Sequence, residues 1–516
     1  GVSAPVLTAG SGKALTRRLA RAPDLLALYA ALTDGGRRRD TMLLETLAGA
    51  SLIMDQAAVR IECRGLGVRL DALTAGGRAV LRAVAASLAH RIESQDEHCL
   101  ALRFPPPEGD DAEARLLAAT PFDALRAIVS GLRSDSPEEP FTLACLGVVA
   151  FDHVDFLETL PAPAEDPLGY PDYLFWLAES LVIVEPGLAP RLVCAAFADG
   201  GDGRAAHYAA AERLSALAER CKAATSPLPV PPSPPPADAE PDLDDSAYAA
   251  VVSRMKAHIL AGDVYQIVPS RTFRAPCADP LAAFAAARAL DPSPYMFFVS
   301  STEHVLFGAS PETSVRIVRE EGWPIVEVKP IAGTRPRGAD ADEDDRMEAD
   351  LRLDHKEVAE HMMLVDLARN DVARISLPGT RRVAKLMSVE RYARVMHLVS
   401  SVQGTLAIGF DALHALQACL NVGTLSGAPK LKATELLRRA ERTRRGPYGG
   451  AVGWLNGEGA MDTGVVIRSA VVKEGAAFVR AGAGVVHDSD PAKEAEETRR
   501  KASAILSAIA PSGARP

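Results

Sequence analysis

Apolar residues recur at three- and four-residue steps in several stretches of the chain. From Asp354 to Asn370 the positions Val358, Met362 and Val365 fall on one side of a predicted helix. A second helix is predicted over Ser246 to Ala261, ending before Gly262, and a third over Ala492 to Ile509, with Pro491 as its start signal. Short β-rich runs lie between them. Val264 to Val268, Ala477 to Arg480, Leu181 to Val184 and Leu192 to Cys194 read as strands, the last two flanking a Glu-Pro-Gly-Leu-Ala-Pro turn. Strands and helices do not alternate regularly, so the pattern favours α+β over a parallel doubly wound sheet. Ser226 to Pro241 breaks it with eight prolines, which remove backbone donors and hold the chain extended. The expected organisation is an N-terminal region, 1–225, a proline-rich linker, 226–245, and a C-terminal domain, 246–511.

Composition narrows the function classes. The 516 residues are 48% hydrophobic, enough for a large core, and the formal net charge of -10 gives no reason to seek nucleic acid or an anionic membrane. Arg37 to Arg39 and Arg438 to Arg445 are short basic stretches, expected to be solvated loops or helix faces. No apolar run approaches the roughly 18 residues of a membrane helix, and no secretory signal is expected. The seven cysteines are scattered and never spaced Cys-x-x-Cys, which fits a reducing cytoplasm better than a disulfide framework or zinc site.

Two glutamate pairs stand out. Glu357 and Glu360 share one predicted helix face, and Glu494 and Glu497 another. Turned toward each other they would suit Mg²⁺, which takes a few carboxylates plus water and substrate oxygens; alternatively they are surface glutamates paired with Lys356, Lys493 and Lys501. Arg468, in VVIRSAVV, reads as a charge inside an apolar strand, either a buried ion pair or a carboxylate clamp. His397 is a lone histidine in an apolar run, readable as a satisfied core residue, and Tyr448 can be a turn residue. Gly482-Ala483-Gly484 after a strand lets a ligand approach backbone N–H groups, and is equally a common turn. Cys145-Leu146-Gly147 lacks the flanking residues of a nucleophile elbow and reads as buried strand.

Taken in order, PIAGTRPRG, DHKEVAEHMMLVDLARNDVARIS, VMHLVSSVQGTL, GTLSGAPKLKA, PYGGAVG, MDTGVVIRSA and AGAGVVHDSDPAKEAEET resemble the chorismate-utilising enzymes, and within them the anthranilate synthase component I group. The resemblance covers the C-terminal half and extends more loosely through LLET, GVVAFDHVDFLETLP and FWLAESLVIV. It implies an α+β fold of two facing antiparallel β-sheets with helices outside. It implies Glu360 and Glu497 as Mg²⁺ ligands, supported directly or through water by Glu357 and Glu494. Gly333, Thr334, Thr424, Tyr448, Arg468, Gly482, Ala483 and Gly484 become expected chorismate contacts. Glu312 matches the acid that helps the ring hydroxyl leave, and His397 the histidine linked to pyruvate elimination.

Two positions bear on the chemistry within the family. Water-adding relatives carry a lysine base where this chain has Gln266, and aminodeoxychorismate synthases commonly carry a lysine nucleophile where it has Ala332. Glutamine cannot deprotonate water, but ammonia has its lone pair already. The expectation is a cleft with no competing lysine, in which free ammonia attacks ring carbon two and pyruvate is then lost. No glutaminase signature is seen, so the resemblance implies a separate glutamine amidotransferase subunit in a heterotetramer. Leu44, Glu45 and Thr46 of LLET, with Pro294, Tyr295 and Met296, match tryptophan-binding elements and imply feedback inhibition. Thr46 replaces the usual serine, and Gly464 stands where relatives often have cysteine. The alternatives are a synthase that stops at the aminated intermediate and a catalytically silent tryptophan-binding protein.

Overall fold

The computed structural model describes residues 10–198, 203–224, 226–229 and 238–513. Residues 230–237 of the expected proline-rich linker therefore lie outside the described residues. The fold is α+β. Every ladder among the described residues is antiparallel except the short pairing of Ser11–Gly12 with Arg133–Ser134.

Strand alternation explains the layering. One apolar cluster is built from strands and loops alone: Met42, Leu44, Leu52, Met54, Leu146, Val148 and Trp176 from the first part of the chain, and Phe297, Leu306, Val452, Trp454 and Val471 from the second. Side chains two apart on a strand share a face, so this cluster is a core with a β-layer on each side. The outer faces are covered by helices. Ala75–Ser87, Asp123–Val129, His355–Ala373 and Ala412–Cys419 contribute to one outer core. Leu25–Leu32, Arg204–Ala223, Pro280–Leu290 and Pro491–Gly513 contribute to the other. The layers are not separate sheets. The strand Thr41–Thr46 pairs with Tyr295–Ser300, and Ala144–Val149 with Ala451–Asn456, so the segments on either side of the proline-rich stretch share ladders in one continuous network.

Three local readings need correction. Of Val264 to Val268, only Gln266–Ile267 is strand, paired with Gly427–Ala428. Arg468 lies between the strands Met461–Val465 and Ser469–Lys473 rather than inside one, with a left-handed φ of 46°. The basic stretch from Arg438 is largely interior: Arg438 binds Asp152 and Asp155, Arg444 binds Asp172, and Arg445 binds Glu441. Spacing showed the charges but not their acidic partners, most of them more than 270 residues away in the chain. Cys145 is in a buried strand as expected, and none of the seven cysteines is in a disulfide. Among the described residues no helix is long and apolar enough to cross a membrane.

Candidate active site

The helix His355–Ala373 begins where Asp354 accepts hydrogen bonds from the Lys356 and Glu357 backbone N–H groups. The cap fixes the first turn and so the placement of Glu357 and Glu360. One face, carrying His361, Leu364, Val365 and Ala368, is buried and packs on the strands Ile331–Pro336 and Val395–Thr405. Those strands place Thr334 opposite His397. Pro491–Gly513 packs on Ala476–Gly482 and brings Glu494, Glu497 and Lys501 to the same region.

A cavity of about 240 Å³ opens there. Gln266, Glu312, Gly333, Thr334, Glu360, His397, Thr424, Tyr448, Arg468, Gly482 and Gly484 all line it. Eleven of the residues singled out from the sequence thus meet in one place, drawn from more than 200 positions of chain.

Glu312 is 2% exposed. The Thr424 hydroxyl lies 3.0 and 2.9 Å from its two carboxyl oxygens, and the Ile331 N–H donates to Oε1 at 3.1 Å. Burial outweighs these bonds and pushes its pKa up to about 8, so at neutral pH it carries a proton it can give. Thr424, expected as a substrate contact, is thus a partner of the acid.

His397 has the opposite character. Its Nδ1 lies 2.9 Å from the Thr334 hydroxyl and its Nε2 faces an Arg468 amino group at 3.5 Å. Arginine can only donate, so Nε2 is the accepting nitrogen and the proton is assigned to Nδ1. Burial, then the Arg468 charge, pushes its pKa down to about 3, so the ring is neutral. Arg468 reaches the cavity from a left-handed backbone, a conformation that costs of order 1–3 kcal/mol in a non-glycine residue. Its Nη1 donates to Asp291 at 3.1 Å.

Gln266 is 2% exposed, donates from Nε2 to Glu360 Oε1 at 3.2 Å, and leaves its own Oε1 buried without a partner. A side chain at Gly484 would put its Cβ 3.0 Å from Glu360 Oε1, and one at Gly482 would meet the Tyr448 hydroxyl at 3.0 Å. Glycine is what lets the backbone close on the cavity. Ala483, by contrast, does not line it, and its N–H is given to Pro269 O at 3.2 Å.

The glutamates are neighbours, though not clasped. Burial first and then Glu357 raise Glu360 to about 7; burial and then Glu497 raise Glu494. Crowded carboxylates of this kind suit a hard divalent cation in chemistry and charge. Glu357 is turned to Arg335 at 2.8 Å and Glu497 to Arg500, and among the described residues no group of three acidic, histidine or cysteine side chains is placed to hold a metal ion. The expected lysine partners are therefore replaced mainly by arginines.

Lys501 was not singled out as a cleft residue, and a cleft free of lysine was expected. It lines the cavity, its Nζ donating to Gly482 O at 2.9 Å and lying 3.9 Å from Glu497. Its place four residues after Glu497, on the same helix face, was the available signal. Asp291 and Arg335 carried no such signal, because their partners come from other elements.

The expected tryptophan elements adjoin a second cavity, of about 370 Å³. Register places Tyr295 opposite Thr46 and Met296 opposite Glu45. Thr46, Pro294 and Tyr295 line the cavity, and the Thr46 hydroxyl is buried without a partner. Tyr295 bonds Asp462 at 2.5 Å and Thr313 at 3.0 Å, and its ring fills the space above Gly464, where a Cβ would stand 2.6 Å from it. Leu44 is in the central core, Glu45 is held by Arg288 at 2.6 Å, and Met296 packs on the outer core; none of the three lines the cavity.

The sequence profile of the chorismate binding enzymes matches residues 74–507. The chain is 45% identical over 503 residues to anthranilate synthase component 1 of Vibrio cholerae, with 94% of each covered. It is 46% identical over 480 residues to the pyocyanine-specific anthranilate synthase component 1 of Pseudomonas aeruginosa, covering 90% of this chain and 87% of that one. The structure of anthranilate synthase component I from Streptococcus pneumoniae superposes with a TM-score of 0.70 at 29% identity, over 90% of this chain and 93% of that one. A menaquinone-specific isochorismate synthase from Escherichia coli shares the fold, with a TM-score of 0.69 at 18% identity over 98% and 96% of the two chains. A profile match that spans residues 74–507, with relatives aligned along nearly the whole chain, makes this protein a member of the chorismate binding enzyme family.

Proposed function

We propose that the chain is the chorismate-aminating component of an anthranilate synthase, converting chorismate and ammonia to anthranilate, pyruvate and water. The observation that carries this reading is one cavity lined by a buried Glu312, whose pKa burial raises, and by an amide, Gln266, whose Oε1 has no partner.

Arg468 binds one substrate carboxylate as a charged fork. Gln266 Oε1, an acceptor with no partner, takes an N–H of ammonia and aims its lone pair at the ring. As the new C–N bond forms at ring carbon two, the ring double bonds shift and the ring hydroxyl departs with the Glu312 proton as water. In the second stage the ring loses a proton, the enolpyruvyl C–O bond breaks, and pyruvate leaves an aromatic ring. Neutral His397, with an accepting Nε2 in the cavity, serves this stage. Lys501 does not take ammonia's part: the reading assigns it to Gly482 O and the carboxylate end of the cavity. Glu360 and Glu497 would hold Mg²⁺, with Glu357 and Glu494 beside them. When bound, the ion neutralises the ring carboxylate of the substrate.

Replacing His397 with a residue that is neither base nor acceptor should leave amination in place and let the aminated intermediate build up. Chromatography of the reaction mixture checks it; a His397→Leu protein that forms anthranilate at the wild-type rate would remove the role.

The name "component 1" carried by the relatives implies a second component, and we assign it the release of ammonia from glutamine. We assign the second cavity to L-tryptophan as an end-product inhibitor, since it has space, a free Thr46 hydroxyl and mixed charge from Arg316, Lys329 and Asp462. Thr46→Val should weaken inhibition by about tenfold, the worth of one hydrogen bond to a buried polar group. Inhibition curves that superpose for the two proteins would remove Thr46 from the site.

The deciding assay mixes the purified chain with chorismate, Mg²⁺ and ammonium and follows anthranilate fluorescence and pyruvate. Both products should appear, and glutamine alone should support neither. The aminated intermediate without pyruvate would mark a synthase that stops early; no reaction, with tryptophan still bound, would mark a silent regulatory protein.

A further inference from the structure

We infer that Asp291 is a positioning residue for substrate recognition: its carboxylate holds the Arg468 guanidinium at the wall of the cavity, ready for a substrate carboxylate. The inference rests on the reading of the cavity as the chorismate site.

Arg468 has a long side chain on a strained backbone, and its guanidinium has two polar neighbours, Asp291 Oδ2 at 3.1 Å and His397 Nε2 at 3.5 Å. The histidine is neutral and the contact long, so Asp291 supplies the charged anchor. Asp291 is itself fixed. It is the C-cap of the helix Pro280–Leu290, and its N–H donates to Ala287 O. Pro292 follows and restricts its backbone to extended geometry.

Local stability does not account for an acidic residue at that position. The C-terminal end of a helix carries partial negative charge, and a carboxylate there is disfavoured. The second oxygen, Oδ1, is buried with no partner, a further cost. Both are offset by the pairing with Arg468, whose own charge is moved out of water. Asp291 occupies one amino group of the fork and leaves the other turned toward His397 and the cavity. It does not line the cavity, so its action is through Arg468 alone.

That last point gives the test, a double-mutant cycle on chorismate affinity. The dissociation constant is measured by calorimetry with Mg²⁺ present and ammonium absent, on the full chain. Asp291→Ala should weaken binding by about tenfold in the wild-type background, the worth of a charge-assisted hydrogen bond. In an Arg468→Ala background the same change should weaken it no further. Asp291→Asn, which keeps an acceptor without the charge, should fall between the wild type and Asp291→Ala, and it carries the same cycle if the alanine variant does not fold. Equal losses in both backgrounds would mean that Asp291 only supports the fold, and no loss in either would mean that it does not position Arg468; each overturns the inference. Failure of the wild-type chain to bind chorismate would be a different result, removing the functional reading and the role of Asp291 with it.

Discussion

Glu312→Gln should lower ammonium-dependent turnover of chorismate by roughly 100- to 10,000-fold, the contribution of a positioned general acid. The glutamine keeps the size of the side chain and an acceptor for the Ile331 N–H and Thr424 hydroxyl, so the loss should fall on turnover rather than on folding. The same group sets a pH limit. An ordinary glutamate is ionised at neutral pH, whereas burial raises Glu312 to about 8. The proton-bearing form dominates below that value and disappears as pH rises through it. Turnover per unit of free ammonia should therefore fall on the alkaline side with an apparent pKa near 8, and the limb should vanish in the glutamine variant. Rates must be divided by free ammonia because its fraction grows with pH. The shift also has a stability sign. With the folded-state pKa above the unfolded one, ionisation opposes folding, so the wild type loses stability as pH rises from about 4.5 to about 8 and the glutamine variant is spared. Parallel thermal unfolding of the two proteins at pH 6 and pH 9 checks this; an equal response to pH would place the Glu312 charge in solvent.

The second large effect concerns the divalent cation. EDTA should abolish turnover, and Glu360→Gln should raise the Mg²⁺ needed for half-maximal rate by about 100-fold or more, the upper range for loss of a supporting group. Of the four glutamates Glu360 is the one that lines the cavity, and after burial the charges of Glu357 and Glu494 raise its pKa. A readout independent of catalysis is thermal stability. A ligand that binds only the folded chain adds about 2.7 kcal/mol when present at 100 times its dissociation constant. Mg²⁺ should therefore raise the melting temperature of the wild type and leave that of Glu360→Gln nearly unchanged. Of the arginines that turn Glu357 and Glu497 aside, Arg335 also binds Asp350 and Asp354, and the Arg500 side chain is exposed. Full activity in EDTA, with no thermal response to Mg²⁺, would show that the glutamates serve another purpose.

The sequence was most legible where the period of apolar residues is strong. The helices at His355–Ala373 and Pro491–Gly513 follow from Val358, Met362 and Val365 and from the proline start, so the glutamates three apart were correctly placed on helix faces. The layered fold was legible only by resemblance, because nothing local tells Thr41–Thr46 to pair with Tyr295–Ser300. Arg468 reads as a strand residue because its seven neighbours in VVIRSAVV are all apolar or small, whereas it lies with a left-handed φ between the end of one strand and the start of another. The arginines from Arg438 onward looked solvated because their acidic partners lie far away in sequence. Glu45 and Met296 follow from the same limit: the two-residue alternation puts them on the face away from Thr46, which can be seen only once strand register is known. For Glu312, FGASPETS gave its place in the family pattern, but the burial that raises its pKa comes from elements distant in sequence and outweighs the hydrogen bonds from Ile331 and Thr424, so it cannot be read from the motif.

Loss of the ring hydroxyl depends most on one proton. Difference infrared spectra of the wild type against Glu312→Gln, taken across a pH titration, report the carboxyl group directly. A protonated carboxylic acid band that persists at pH 7 and fades near pH 8 is the predicted result. A Glu312 already ionised at pH 6 would contradict it, because Glu312 would then have no proton to give the ring hydroxyl.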